Sequence, residues 1–193
     1  LIQAAAQNAK PGSDAQKVGD YYASFMDEDG IEAKGITPLQ PMFAKIAAIG
    51  DRTALARYLG EGLRADIDIL NATNLYTDNL FGLWVSPSFQ DPTRYSPFLF
   101  QGGLGMPDRD YYLTSEFAQQ KIKYEAYVAK ILSLLGWPDA RAGARAVVAF
   151  ETRIARASWT KVEQRDPVAT YNPMSIAELD KLTPGFAWER YLA

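Results

Sequence analysis

Apolar residues recur at helical spacing along most of the chain. The clearest early case follows Ser13 or Asp14, either of which can cap a helix that runs to about Met26. Its apolar residues recur at three- and four-residue intervals, which places them on one face: Val18, Tyr21, Tyr22 and Phe25. The acidic and glycine residues at 27–30 then predict a turn that ends this helix.

Further stretches of the chain carry helix start and stop signals. Thr37-Pro38 has the order of an N-cap and a first helical residue, Asp51 can cap the next helix, and Ser175 can cap a short one. The predicted helices cover about 1–9, 37–49, 52–69, 114–135, 138–159 and 176–182, with another from about 186.

The two longest predicted helices are joined by the short link Gly136-Trp137-Pro138, which favours an antiparallel pair. Thr114 or Ser115 can cap the first, whose apolar stripe consists of Tyr124, Tyr127, Val128, Ile131, Leu132 and Leu135. One face of the second carries Val147, Phe150, Ile154 and Ala157. Such faces are typical of the side of a helix that packs on a core.

Two stretches between the helices are rich in β-forming side chains. Residues 80–85 and 95–101 are separated by turn residues over 86–94, which predicts two antiparallel strands. Pro97 is tolerable there only on an edge or at a bulge. The predicted fold is therefore mainly α, a multi-helix lobe with one antiparallel β-hairpin at about 80–101.

Length and charge narrow the class of protein. At 193 residues the chain has room for one domain, or for one domain with an appendage. Its net charge is −3 and its Lys and Arg are scattered among acids, which argues against nucleic-acid binding. No run approaches the ~18 apolar residues of a membrane span, and the residues present contain no signal peptide. Both ends fall inside predicted helices, so we expect a fragment of a longer polypeptide.

The chain contains neither cysteine nor histidine. Disulfides, thiolate nucleophiles and cysteine-ligated zinc are therefore excluded. The commonest metal ligand and the commonest general base near neutral pH are missing as well, so a Ser-His-Asp triad cannot be built. The sequence accordingly predicts no catalytic residue, no metal ligand and no cofactor within this chain.

Acidic residues leave one other chemistry open. Glu151 and Arg153 lie in a predicted long helix, where a solvated charge or a pair between helices is the default. Glu163, Arg165 and Asp166 form a second charged cluster. Paired carboxylates can hydrolyse glycosides, but that requires a deep pocket with two facing acids, and sequence does not reveal their separation.

Residues 102–113 are the least generic stretch, with the sequence Gly-Gly-Leu-Gly-Met-Pro-Asp-Arg-Asp-Tyr-Tyr-Leu. Its glycines permit positive φ while its proline fixes φ, so few other residues could follow this backbone. The polar and aromatic members are the candidate site residues: Asp108, Arg109, Asp110, Tyr111 and Tyr112. Arg109 either binds a peptide carboxylate in a bidentate manner or pairs with an acid or a helix C-terminus and fixes the turn. The tyrosines either line a peptide-binding wall or belong to the core.

This string resembles one in the N-terminal region of the neprilysin and endothelin-converting-enzyme family of zinc metallopeptidases. Other segments are similar to that family in the same order: 17–27, 35–39, 150–155, 165–167 and 170–174. Together they extend over nearly the whole chain. The stretch 66–79 departs from the family by being longer and more polar. It contains the sequon Asn71-Ala72-Thr73, which we expect to be an unmodified polar loop or helix end.

The resemblance implies a helical N-terminal cap lobe that encloses a chamber and restricts access to short peptides. In this family zinc is bound in a C-terminal catalytic domain by a His-Glu-x-x-His helix, which residues 1–193 do not contain. Zinc is then a cofactor of the parent enzyme, and the partners are that domain and short peptides. The resemblance also implies an extracytoplasmic location and an inactive isolated lobe. The alternative is a non-enzymatic helical module that binds proteins or peptides.

Overall fold

The computed structural model describes residues 1–63 and 79–193. The predicted sequon at Asn71 and most of the polar stretch around it lie outside these residues. The fold is mainly α, as predicted, with a two-stranded antiparallel sheet in the described part. The chain divides into two compact units, Leu1–Ala48 and Ile49–Ala193.

The first unit is helical. Its helices are α1 (Ile2–Asn8), α2 (Asp14–Met26), α3 (Glu28–Lys34) and α4 (Gln40–Ala47), the last preceded by a 3₁₀ turn at Thr37–Leu39. Ser13 caps α2 by accepting a hydrogen bond from the Gln16 N–H. A Cβ on Gly19 would overlap the backbone of Ala5 and Ala6, so the absence of a side chain lets α1 and α2 approach closely.

The apolar residues on one face of α2 include exposed aromatic side chains, with Tyr21 and Phe25 accessible over 78% and 72% of their surface, whereas α1 packs near Gly19. One prediction for this unit is wrong. The predicted turn at 27–30 is the start of α3. The Asp27 carboxylate accepts the Gly30 N–H there, which makes an acidic turn signal act as a helix cap.

The second unit contains the sheet and the longer helices. Its elements are α5 (Arg52–Glu61), β1 (Phe81–Pro87), β2 (Tyr95–Gln101), α6 (Asp110–Leu113), α7 (Ala118–Leu134), α8 (Ala140–Ala157), α9 (Ile176–Leu182) and α10 (Trp188–Tyr191). Short 3₁₀ turns occupy Ser115–Phe117 and Glu163–Arg165. Helix α5 ends at Glu61, earlier than the predicted residue 69, and the last predicted helix begins at Trp188 rather than near Phe186.

Two predicted caps of this unit are present. Asp51 accepts the Ala54 N–H, and Ser175 forms a capping box with Glu178. Asp139 also caps α8, by accepting the Ala142 N–H. The prediction that Thr114 or Ser115 caps α7 is wrong. The four-residue helix α6 comes first, and the Thr114 hydroxyl donates to its Asp110 carbonyl.

The β-hairpin has the predicted place and direction. β1 and β2 pair from Phe81 opposite Gln101 to Pro87 opposite Tyr95. Pro97 lies opposite Val85 in this two-stranded sheet, where each strand is an edge of the described sheet and the missing N–H is tolerated.

Helix α8 buries a different face from the predicted one. Its buried residues are Ala144, Val148, Thr152 and Ala155, whereas Phe150 of the predicted face is exposed. These side chains are small, which suits α8 to close contact with α6 and α7. The predicted stripe of α7 is likewise divided, because Tyr124 is partly buried and Tyr127 is exposed.

Two groups of packed side chains organise the second unit. The aromatic cluster consists of Ala56, Phe81, Phe186, Trp188 and Tyr191, from α5, β1 and the α10 region. The signature cluster lies between α6, α7 and α8 around Met106, Tyr112 and Ala155, with Tyr124 and Glu151 beside them.

Candidate functional site

The glycine-rich segment leaves the end of β2 and turns towards α8. The Gly102 N–H donates to the Leu80 carbonyl at 3.1 Å, one pair beyond the last pair of the sheet. Gly103 has a φ of +77°, which side chains other than glycine rarely adopt. A Cβ on Gly105 would overlap the Tyr124 hydroxyl. Two of the three glycines are therefore required by the backbone and by the packing.

A chain of hydrogen bonds fixes the next residues. The Tyr112 hydroxyl accepts the Met106 N–H at 2.9 Å and donates to Glu151 Oε2 at 2.9 Å. The other oxygen of that carboxylate accepts the Tyr124 hydroxyl at 3.0 Å. Glu151 thus joins α8 to both α6 and α7. The sequence predicted a solvated charge or a charge pair between helices for Glu151. Its carboxylate instead accepts hydrogen bonds from two tyrosine hydroxyls.

Tyr112 is the buried member of the candidate residues, with 4% of its surface accessible. Burial raises the pKa of its phenol, and the charge of Glu151 raises it further, despite the opposing hydrogen bond from the Met106 N–H. Its hydroxyl therefore stays protonated and continues to donate to Glu151. Lys121 adds a hydrogen bond to the Tyr112 carbonyl at 2.9 Å.

Asp108, Arg109 and Asp110 form the turn that leads into α6, and among them Asp110 is exposed while Asp108 and Arg109 are half-buried. Asp108 Oδ1 accepts the Asp110 N–H at 2.8 Å, and its Oδ2 lies 2.7 Å from Lys161 Nζ. Arg109 Nε donates to the Ala155 carbonyl in the last turn of α8 at 3.2 Å. The turn is therefore tied to α8 and to the residues that follow it.

The ion pair shifts the pKa values of both Asp108 and Lys161. Burial of Asp108 disfavours its charge, but the hydrogen bonds from Lys161 and from the Asp110 N–H outweigh that and hold the pKa of the carboxyl below its usual value. The hydrogen bond to Asp108 raises the pKa of Lys161. Both groups therefore remain charged near neutral pH.

The residues after α8 form one wall of a cavity whose other wall is the turn at Asp108 to Asp110. The Gln101 side-chain amide donates to the Trp159 carbonyl at 3.0 Å and accepts the Trp159 N–H at 2.8 Å. Glu163 Oε2 accepts both the N–H and the hydroxyl of Thr160, each at 2.7 Å. These hydrogen bonds, the backbone one first, lower the pKa of Glu163.

A cavity of about 260 Å³ lies between the turn and this wall. It is lined by Phe100, Gln101, Gly102, Leu104, Met106, Pro107, Asp108, Arg109, Asp110, Ser158, Trp159, Lys161 and Gln164. Its two acids, Asp108 and Asp110, belong to one turn, and Asp108 already pairs with Lys161. The arrangement of two facing acids that glycoside hydrolysis requires is therefore not found among the lining residues.

The five candidate residues fall into two groups. Asp108, Arg109 and Asp110 line the cavity. Tyr112 lies in the signature cluster, and Tyr111 stacks on Phe117 with ring centroids 4.1 Å apart. No motif in the sequence marks the other cavity residues Gln101, Trp159 and Lys161, which tertiary contacts bring to the site.

Within residues 1–63 and 79–193, no three His, Cys, Asp or Glu side chains are grouped so that they could hold a metal ion. The helices described there are also too short or too polar to cross a membrane.

Sequence comparison finds long matches to characterised peptidase relatives. Endothelin-converting enzyme 1 from Cavia porcellus is 27% identical over 181 residues, covering 92% of this chain and 24% of that protein. Neprilysin-3 from Drosophila melanogaster is 30% identical over 183 residues, covering 91% of this chain and 23% of that protein. This chain therefore spans about a quarter of the length of these relatives.

Solved structures agree with the sequence matches. The crystal structure of the Mycobacterium tuberculosis zinc metalloprotease Zmp1 with an inhibitor matches at a TM-score of 0.80 and 33% identity, over 100% of this chain and 28% of that one. The cryo-EM structure of the open state of Zmp1 matches at 0.77 and 33% identity, over 100% and 29%.

The resemblance inferred from the signature is thereby confirmed. The family model for the N-terminal region of these enzymes matches residues 1–193, the whole chain. The relatives and the solved structures carry the same family's names, neprilysin, endothelin-converting enzyme and zinc metalloprotease. This chain belongs to peptidase family M13 and corresponds to the N-terminal region of that family's proteins.

Proposed function

We propose that this chain is the N-terminal lobe of a zinc-dependent endopeptidase that acts on short peptides. The lobe encloses and gates the catalytic chamber, and the chain performs no catalysis by itself. The observation that carries the proposal is the match of all 193 residues to the N-terminal family model, with a matching fold in Zmp1. In this proposal the fragment 1–193 is one cap lobe, and the zinc catalytic domain follows it.

Zinc belongs to the other part of the parent enzyme in this proposal. The donor set of this chain does not fit a zinc site, because it has no histidine or cysteine. The zinc ligands, and the hydrolysis that zinc supports, are therefore assigned to the C-terminal catalytic domain. We also propose that the parent enzyme has an extracytoplasmic location, as the family resemblance implies.

Two surfaces support a lobe that faces a partner. On α7, Tyr127, Ile131 and Leu134 are exposed on one face although they are large and apolar, which is typical of a surface that another domain covers. At the candidate site, the charged turn of Asp108, Arg109 and Asp110 borders a cavity of about 260 Å³. We assign the first surface to the contact with the catalytic domain and the second to the chamber wall.

The test compares this chain with its parent. Zinc content and cleavage of a short fluorogenic peptide are measured on residues 1–193 and on the full-length protein. We expect stoichiometric zinc and turnover only in the full-length protein. Zinc or turnover in the isolated chain would contradict the inactive lobe. A full-length sequence without a His-Glu-x-x-His helix would support the non-enzymatic binding module instead.

Gating requires a separate measurement. The full-length enzyme is given one cleavable sequence, either as a short peptide or within a long unfolded polypeptide. We expect cleavage of the short form alone, because an enclosed chamber restricts access by size. Equal rates for the two forms would contradict the gating role while leaving the peptidase assignment intact.

A further inference from the structure

We propose that the exposed face of α8 is a contact surface for a lipid bilayer that contains anionic phospholipid, and that four arginines bind its phosphate groups. These four residues form the arginine row: Arg141, Arg145, Arg153 and Arg156. Contact with a bilayer requires neither zinc nor a second domain. A failed test would therefore leave the proposed peptidase function standing.

The helical period places the arginine row on one face of α8. All four side chains are exposed, and so is Ala149, which occupies the position in the middle of the row. At about 100° per residue the four arginines fall within roughly one third of the helix circumference, and at 1.5 Å per residue the row is roughly 22 Å long. Four guanidinium groups can therefore reach one flat surface together.

The positive charges of the arginine row are not neutralised by acids of the chain. Within residues 1–63 and 79–193, none of the four guanidinium groups forms an ion pair or a hydrogen bond. The one acid of α8 is Glu151, whose carboxylate accepts the hydroxyls of Tyr112 and Tyr124 in the signature cluster. The chain as a whole has a net charge of −3, so the row is a local concentration of positive charge on an acidic protein.

This arrangement opposes the stability of the helix. Arg141 and Arg145 are one turn apart, and like charges at that spacing repel each other. Arg141 also lies in the first turn of α8, where the helix dipole disfavours a positive charge. An anionic surface would replace the repulsion within the row by attraction to a common partner.

The chemistry of the row matches phosphate groups arranged in a plane. A guanidinium group binds two phosphate oxygens through parallel N–H groups, which an ammonium group does not do. The exposed residues between the arginines are small, since Ala146 and Ala149 are among them. The helix can therefore lie close to the lipid headgroups without a bulky side chain in between.

Phe150 favours a bilayer over an acidic segment of a protein. Its ring is 56% exposed, and it is a surface neighbour of Arg153, three residues further along the helix. Aromatic side chains beside basic ones are typical of helices that lie at the level of the headgroups, where the ring reaches the acyl boundary. A solvated acidic segment offers the ring no such apolar medium.

The experiment measures co-sedimentation of the 193-residue chain with lipid vesicles. One set of vesicles is pure phosphatidylcholine, and the other contains about one third phosphatidylglycerol, which supplies the negative surface. We expect binding to the anionic vesicles alone. Binding should be lost between about 0.1 M and about 1 M salt, because the screening length falls from about 10 Å to about 3 Å.

Variants assign the binding to the arginine row. Each arginine near an anionic surface contributes roughly fivefold to affinity, so Arg141→Gln combined with Arg145→Gln should weaken binding roughly 25-fold. The matched control is Lys123→Gln combined with Lys130→Gln, which removes the same charge from exposed positions of α7. It should weaken binding by less than about threefold. Phe150→Ala should weaken binding several-fold.

Further measurements separate lipid binding from misfolding and from another partner. Far-ultraviolet circular dichroism checks that each variant keeps its helices, and Arg141→Lys combined with Arg145→Lys, which keeps the charge, should retain most of the binding. Equal binding to neutral and anionic vesicles would overturn the proposal. So would undiminished binding by a folded double glutamine variant of the row, or no binding at about 1 mM lipid. Binding of soluble polyglutamate without binding of the vesicles would also overturn it, in favour of an acidic protein partner.

Discussion

The two clusters of the second unit bring distant segments together by different means. In the aromatic cluster, four rings meet mainly edge to face, with the Trp188 and Tyr191 centroids 5.7 Å apart at 90°. In the signature cluster, four polar groups are linked by hydrogen bonds of 2.9 to 3.0 Å that pass through Glu151. Close packing of the rings stabilises the aromatic cluster, whereas directional hydrogen bonds stabilise the signature cluster.

This difference predicts different responses to substitution. An apolar cluster loses free energy with the volume that is removed, since a cavity remains. A hydrogen-bonded cluster tolerates small losses of volume but not a donor or acceptor left without its partner. Substitutions that change one property at a time can therefore test whether the two clusters are distinct in this way.

The largest effect is expected from Tyr191→Ala in the aromatic cluster. Tyr191 is 1% accessible and its ring contacts Phe81, Phe186 and Trp188. Truncation should lower the free energy of unfolding by about 3–5 kcal/mol, measured by urea denaturation followed through tryptophan fluorescence.

Tyr191→Phe is the control for that prediction. It keeps the ring and removes only the hydroxyl, which donates to the Phe81 carbonyl at 3.2 Å. The loss should be about 1 kcal/mol. If the two substitutions cost the same, the aromatic cluster depends on its hydrogen bond and the contrast with the signature cluster disappears.

The next effect is expected from Gly105→Ala in the signature cluster. The new methyl group would overlap the Tyr124 hydroxyl and displace it from Glu151, at a cost of about 1–3 kcal/mol. Gly50→Ala is the matched control, because nothing lies within 4 Å of a Cβ there and its φ is not positive. It should change the free energy of unfolding by less than about 1 kcal/mol.

A double mutant tests the cause of the Gly105 effect. Tyr124→Phe removes the atom that the methyl group would meet, so adding Gly105→Ala to it should cost less than in the parent chain. Additive losses would show that overlap with the Tyr124 hydroxyl is not the cause of the Gly105 effect.

Alkaline pH should affect both clusters through their tyrosines. Burial raises the pKa of Tyr191 from 10.0 to about 12, and it also raises that of Tyr112. A raised pKa stabilises the folded state fully below the unfolded pKa, and that stabilisation is lost as pH rises through the folded pKa. The urea midpoint should therefore fall from about pH 10 upwards. Tyr191→Phe should make this fall shallower, and an unchanged slope would contradict the burial of the phenol.

The sequence predicted the helices and strands of the fold better than it predicted which of their faces are buried. The caps at Asp51 and Ser175 and the hairpin at 81–101 could be predicted, because they depend on residues adjacent in sequence. The buried face of α8 was not, because apart from Val148 it consists of alanines and a threonine that no hydrophobic pattern distinguishes. Small residues were selected there by the closeness of neighbouring elements, which is a tertiary property.

The candidate site was predictable in part for the same reason. The turn at Asp108 to Asp110 was identified from residues 102–113 alone. Its partner wall, with Trp159 and Lys161, lies about fifty residues further along the chain and carries no motif. For Glu151 the sequence predicts only a solvated charge or a pair between helices, since only the fold brings two tyrosine hydroxyls to its carboxylate.

The smallest effect is expected where the signature meets solvent. Lys161→Gln removes the ion pair to Asp108, but the lysine side chain is 63% exposed, so the loss of stability should be below about 1 kcal/mol. The pair holds the pKa of Asp108 below 3.8, and a lowered pKa contributes stability that is lost as pH falls. The difference between the variant and the parent chain should therefore be largest near neutral pH and shrink in acid, once Asp108 takes up its proton. A loss of stability as large as that of Gly105→Ala would show that the surface ion pair contributes as much as the buried signature cluster, which would contradict this prediction.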